Sequence, residues 1–202
     1  MTTARMIDVP ARPASLSLDP SATAVIIVDM QNDFGAPGGM FDRAGIDIAP
    51  IRAIVPAVSR TLAAARDAGM AIVYLKMEFA EDLSDLGPPG NPTAKKHEFL
   101  RLGERIDAPD GSGGRILIRG TWNTAIIDEL TPVPGDHIVS KQRYSGFHNT
   151  TLDALLRDAG IRTLAFTGAT TSVCVDSTLR DAMFRDYECL LLADCVAEPI
   201  GF

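Results

Sequence analysis

The stretch Ala22-Thr23-Ala24-Val25-Ile26-Ile27-Val28-Asp29 is a nearly continuous run of β-branched and small apolar residues that ends in an acid. Continuous rather than alternating hydrophobicity marks a strand covered on both faces, as in parallel sheets. Working outward, residues 70–75, 137–141, 163–167 and 188–194 read as four further strands, the second of these set up by the turn Pro134-Gly135-Asp136. Helical patterns separate them. Residues 51–68 place Ile51, Ile54, Val55, Val58, Leu62 and Ala65 on one face, with Gly69 as a C-terminal stop. Residues 150–159 turn Leu152, Leu155 and Leu156 inward, with Asn149 or Thr150 as cap and Gly160 as stop. Residues 175–186 form a third helix. This alternation predicts an α/β fold, a three-layer α/β/α sandwich around a mainly parallel, Rossmann-like sheet.

The remainder is less regular. Residues 31–47 hold four glycines and one proline and read as a loop. Residues 76–112 read as irregular, because Gly87-Pro88-Pro89-Gly90-Asn91-Pro92 cannot be regular structure. A loop of this length inside a compact domain usually serves function, and a pocket wall or lid is expected. Arg115-Ile116-Leu117-Ile118 reads as a short extended piece and residues 124–130 as a short helix.

A chain of 202 residues is expected to form one domain over residues 21–202, preceded by a surface arm at 1–20 that holds three prolines. Apolar residues at 46% and charged residues at 22% are ordinary for a globular protein. A net charge of -7 argues against nucleic acid or an anionic membrane as partner. No apolar stretch approaches the ~20 residues of a membrane span, and the N-terminus lacks the apolar centre of a signal peptide, so a cytoplasmic protein is expected. Three cysteines near the C-terminus do not suggest a disulfide framework. Cys189 reads as an inert thiol of a buried strand, and Cys195, at that strand's end, as structural or pocket-lining.

In doubly wound sheets ligands bind at the carboxyl ends of the strands. Asp29, Lys141 and Cys174 all lie at or just beyond such ends. Cys174 belongs to Thr167-Gly168-Ala169-Thr170-Thr171-Ser172-Val173-Cys174-Val175, where a strand meets a helix, and the unpaired N–H groups of a helix start favour the nucleophilic thiolate. A cysteine attacking a carbonyl needs a base that takes its proton and returns it to the leaving amine. Asp29 suits that role, and a nearby lysine would hold the aspartate ionised. Taken singly, Asp29 could cap a helix and Lys141 could lie at the surface; their convergence on one sheet edge carries the functional reading. The alternatives are poorly supplied. Gly-x-Ser-x-Gly is absent. His97, His137 and His148 read as surface or structural. No metal-ligand spacing and no Gly-x-Gly-x-x-Gly occurs, so neither metal nor other cofactor is expected. Phe34, Phe79, Trp122 and Tyr144 are candidates for the pocket wall, with plain core packing as the alternative.

Three motifs in order, Ala24-Val25-Ile26-Ile27-Val28-Asp29-Met30-Gln31-Asn32-Asp33-Phe34, Lys141-Gln142-Arg143-Tyr144-Ser145-Gly146-Phe147 and Thr167 through Cys174, resemble the isochorismatase-like cysteine hydrolase family. The resemblance covers residues 21–197. Within the family it is strongest to the ureidoacrylate amidohydrolases, through Tyr144-Ser145-Gly146-Phe147, Asn149-Thr150 and Ser177-Thr178-Leu179-Arg180-Asp181. It implies Asp29 as general base and acid, Lys141 as cationic partner and Cys174 as nucleophile. It also implies a non-proline cis peptide between Ala169 and Thr170, and an oxyanion hole from the N–H groups of Thr170 and Cys174. A homo-oligomer is implied as well. Two features depart from the pattern. Met77-Glu78-Phe79 stands where those relatives carry an Asn-Gly-Trp-like segment, and the domain ends early after its fifth strand, which would leave one sheet edge and one helix layer uncovered. The expected activity is hydrolysis of a small linear amide, carbamoyl or ureido in kind, through a thioester. Biuret, N-carbamoyl amino acids, maleamate and nicotinamide are alternative substrates. True isochorismatases, which cleave a vinyl ether, lack the cysteine. A binding protein that kept the fold without catalysis is the alternative of another class.

Overall fold

A computed structural model describes residues 6–200. It begins with a hairpin of β1 (Ile7–Val9) and β2 (Leu16–Leu18), antiparallel, with a cis Arg12–Pro13 bond in the connection. The run that opens the sequence analysis becomes β3 (Thr23–Val28), in which every residue is buried. After it come the short helices α1 (Asn32–Gly35) and α2 (Met40–Arg43), then the long helix α3 (Ala49–Ala68), which ends at Gly69 in the left-handed conformation. Next are β4 (Ala71–Met77), α4 (Pro92–Phe99), β5 (Arg105–Asp107), β6 (Gly113–Arg115) and β7 (His137–Lys141). The chain closes with α5 (Leu152–Asp158), β8 (Thr163–Ala169), α6 (Asp176–Met183) and β9 (Glu188–Ala197).

Five strands form one parallel sheet in the order β7-β4-β3-β8-β9. Alternation along β4 shows the two covered faces. The Tyr74 hydroxyl points toward Arg66 of α3 and donates to the Leu130 carbonyl, while Leu75 abuts Gly146, against which Leu152 of α5 also lies. The molecule is therefore the expected three-layer α/β/α sandwich, with β3 central.

Five local expectations need correction. Residues 31–47 are not a plain loop, since α1 and α2 lie within them. Residues 76–112 are not irregular throughout. Asn91 Oδ1 accepts from the Ala94 N–H and starts α4, whose Pro92 sits in the first turn where no donor is needed. β5 pairs antiparallel with β6 in the same region. Residues 124–130 are not a helix: 3-10 turns at Trp122–Thr124 and Asp128–Leu130 flank an extended piece that pairs Ile126 with Gln31. The extended piece read at residues 115–118 belongs instead to Gly113–Arg115, because Leu117 turns back at φ 53°. Finally, β9 is an edge strand, not a buried one: Cys189 is half-buried and Leu191 is exposed. Among the described residues no helix is long and apolar enough to cross a membrane.

Candidate active site

Asp29 follows β3 directly, at φ 51°, a left-handed conformation that few side chains adopt. Its N–H still bonds to the Leu75 carbonyl at 3.0 Å, so the reversal occurs while the chain remains tied to β4. The carboxylate is thereby turned over the sheet end and is only 1% exposed. Its Oδ1 accepts from the Met77 N–H at 3.0 Å, and its Oδ2 meets Lys141 Nζ at 2.8 Å. Lys141 is the last residue of β7 and is wholly buried; it reaches past β4 to form this ion pair and also donates to the Arg143 carbonyl at 3.3 Å. Burial works against its ammonium, but Asp29, and after it Cys174, outweigh that cost and hold the Lys141 pKa above its ordinary value.

Cys174 sits beyond β8 in a π-helical turn, Thr171–Val175, a local widening common at functional sites. The peptide between Ala169 and Thr170 is cis. The thiol interacts with both Asp29 and Lys141, so three strand ends converge on one point. A thiolate favoured at rest is not what the structure provides. Burial, then the Asp29 carboxylate, pushes the Cys174 thiol up to about 12 against the pull of Lys141. The helix-start donors do not offset this, since the N–H groups of Val173 and Val175 both return to the Thr170 carbonyl. The Cys174 side chain is thus held against the Asp29 carboxylate.

The loop that follows Lys141 locks onto the helix that follows Cys174. Thr178 accepts from the Gly146 N–H at 3.0 Å and donates to the Cys174 carbonyl at 2.6 Å, and Ser145 bonds Asp181. These are the small polar residues of two of the sequence motifs, and their task is to join the lysine and the cysteine into one rigid unit.

A cavity of about 20 Å³, room for one water, lies against Asp29, Thr170 and Cys174. Phe34 and Tyr144 line it, together with Phe41, Met77, Val173 and Ile200, which the sequence reading missed. Phe79 and Trp122, also expected in the wall, do not line it. Phe79 is fully buried, and its backbone pairs with Leu117 and Arg119; Trp122 opens a 3-10 turn whose carbonyl receives the Asn32 amide. His137 and His148 are exposed, and the His97 side chain lies outside the described residues. Cys195 is buried in β9, and its sulfur lies 3.4 Å from the Thr61 hydroxyl of α3, away from this cavity. Among the described residues no group of three or more His, Cys, Asp or Glu could hold a metal ion.

This arrangement can be compared with known proteins. The isochorismatase domain model matches residues 23–199. A ureidoacrylate amidohydrolase of Methylorubrum extorquens is 44% identical over 188 residues, which are 93% of this chain and 75% of that one. Another from Rhizobium rhizogenes is 44% identical over 189 residues, with the same coverage. Among solved structures, a cysteine hydrolase from Pseudomonas syringae pv. phaseolicola superposes with a TM-score of 0.75 at 30% identity, covering 100% of this chain and 83% of that one. An N-carbamoylsarcosine amidase from Thermoplasma acidophilum gives 0.66 at 26% identity, covering 89% and 86%. By the span of the domain match and the closeness of these relatives, the chain belongs to the isochorismatase family.

Proposed function

We propose that the protein is a cysteine amidohydrolase that cleaves a small linear ureido compound of the ureidoacrylate kind. The observation that carries this reading is the buried Asp29–Lys141 pair, at 2.8 Å, facing the buried Cys174 sulfur at the end of a parallel sheet. Two similar proteins bear names, ureidoacrylate amidohydrolase and N-carbamoylsarcosine amidase, that describe cleavage of a C–N bond beside a carbamoyl carbon.

The chemistry runs in two halves. Cys174 Sγ attacks the ureido carbonyl as its proton passes to Asp29, so thiolate character arises only as the C–S bond forms. The N–H groups of Thr170 and Cys174 receive the developing oxyanion, and a donor of this type is worth about 3 kcal/mol. Lys141 keeps the local charge balanced while Asp29 is protonated. Asp29 then gives the proton to the departing amine nitrogen, the C–N bond breaks, and a carbamoyl thioester remains on Cys174. Water, deprotonated by Asp29, attacks the thioester; the C–S bond breaks, carbamate leaves and the thiol is restored. Neither metal nor other cofactor enters this scheme.

Residues 21–202 form the catalytic domain and residues 1–20 its arm in this reading. Three free cysteines suit the reducing cytoplasm, the net charge of -7 suits a protein that avoids nucleic acid and anionic membranes, and exposed Met183, Phe184 and Leu191 supply apolar surface for a homo-oligomer. The decisive measurement is ammonia release, from breakdown of the carbamate, with ureidoacrylate as substrate. Cys174→Ala should abolish turnover while leaving the far-UV spectrum and thermal midpoint near those of the parent. Activity of that variant within tenfold of the parent would end the mechanism.

A further inference from the structure

The reactive cavity is unsuited to a charged end of a substrate. Its walls beside Cys174 are mostly apolar (Phe34, Phe41, Met77, Val173 and Ile200, with Tyr144 and Thr170 the polar exceptions), and the ammonium next to it, Lys141, is already paired with Asp29. A carboxylate placed there would lose its water next to the Asp29 carboxylate and would occupy the N–H groups that the oxyanion needs. A substrate that carries one must therefore hold it elsewhere.

On the other side of Met40 and Leu100 lies a larger cavity of about 310 Å³, rimmed by exposed residues. Met40 and Leu100 are walls of both spaces, so they form the partition between them. Helix α2 supplies Met40 to this partition and, three residues on, Arg43 to the outer cavity. The helix is fixed, because the Met40 N–H bonds to buried Asp33 at 3.0 Å. Arg43 donates Nε to the Gly38 carbonyl at 2.8 Å and Nη2 to the Asp107 carbonyl at 3.3 Å. Both acceptors are neutral, and Arg43 forms no ion pair among the described residues. The other guanidinium of the cavity, Arg101, is already tied to Glu104 at 3.4 Å. The outer cavity thus holds an oriented cation that no carboxylate contacts directly among the described residues; it acts on buried Asp33 only at longer range, and the cavity's own acid, Glu104, is tied to Arg101.

We propose that this outer cavity is a substrate subsite and that Arg43 selects amides bearing a carboxylate a few atoms from the scissile carbonyl. This rests on the amidohydrolase reading above. The ureido carbonyl lies at Cys174, the short chain passes between Met40 and Leu100, and the carboxylate meets Arg43 at the edge of solvent, where it keeps part of its hydration. The arginine acts on specificity and takes no part in bond making.

The test compares ureidoacrylate with its uncharged methyl ester as substrates of the whole chain, through the ratio of their kcat/KM values. Arg43→Gln should lower the acid-to-ester ratio about five- to tenfold, between the effect of an exposed ion pair and that of a charge-assisted hydrogen bond. The change should appear in KM rather than kcat, and the parent's preference should shrink as salt is raised. Arg43→Lys, which keeps the charge, should hold the ratio within about threefold of the parent on the same reasoning. Because each ratio is internal to one protein sample, partial misfolding does not mimic the effect. Cleavage of acid and ester in a ratio that Arg43→Gln leaves unchanged overturns the role of Arg43 alone. Failure of the parent to cleave either compound overturns the amidohydrolase reading and this subsite with it.

Discussion

Asp33 lies one turn beyond the proposed base and performs none of the chemistry, yet it holds the pocket together. Its carboxylate is fully buried and accepts from the Met40 N–H, the Asn123 side chain and the Leu117 N–H at 3.0, 2.6 and 2.6 Å. Burial pushes its pKa up to about 6, although those three donors and the charge of Arg43 pull the other way. A carboxyl that is harder to ionise when folded makes stability fall as pH rises from its unfolded value, near 3.8, to about 6. The size of that fall is about 3 kcal/mol by the ordinary conversion. Asp33→Asn should remove this slope. At pH 4, where the parent is neutral too, the variant should be about 1–3 kcal/mol less stable, because its amide NH₂ cannot accept from every one of the three donors. Urea unfolding of both proteins at pH 4 and pH 7 measures the difference; identical pH slopes would refute the assignment. Gln31, two residues nearer the base, works in a similar way: its amide makes both hydrogen bonds to the Met77 backbone, each at 2.9 Å, and so continues the β3–β4 pairing with a side chain. Neither role could be read from the sequence, because Met77 lies 46 positions from Gln31, and Leu117 and Asn123 lie 84 and 90 from Asp33.

At the scale of elements, the site depends on how closely two strands approach. Gly168, near the end of β8, has φ 103°, and a Cβ there would fall 2.1 Å from the Val28 carbonyl oxygen of β3. The three nearest atoms, O, N and C of Val28, are all backbone, so no side chain can swing aside. Gly168→Ala should push β3 and β8 apart where they carry Asp29 and the Cys174 turn, at a cost of about 3 kcal/mol or more. Turnover should fall further than stability does. A thermal midpoint within a degree of the parent's would show that the contact can relax. The strands themselves were legible, since Val25-Ile26-Ile27-Val28 is apolar without alternation and can only be covered on both sides. The residues at their ends were legible for the same reason, as an acid or a lysine that closes such a run is conspicuous. The region from 76 to 130 was not, because its elements are three or four residues long, or are started by one side chain such as Asn91, and propensity carries little information at that length. β9 misled in the opposite way: its run of leucines reads as buried, but whether a neighbour covers a strand is not written in that strand.

Across the whole molecule, the parallel sheet gathers Asp29, Lys141 and Cys174 at one edge, and α1, α2 and Leu100, just after α4, help build the enclosure around them. The resulting asymmetry, a reactive cavity of about 20 Å³ beside an outer one of about 310 Å³, bears on the second half of the reaction. In the proposed reaction, any nucleophile competing for the thioester once the amine has left must reach the carbonyl carbon through this enclosure, whose free space before substrate binds is that of one water. The choice of acceptor is then made by size rather than by nucleophilicity. Methanol or hydroxylamine at high concentration should divert little of the carbamoyl group, and carbamate should remain the main product when the partition is followed by mass spectrometry; predominant transfer to hydroxylamine would show that the enclosure opens during turnover. The tightness around Cys174 would in that way decide that the protein acts as a hydrolase and not as a carbamoyltransferase.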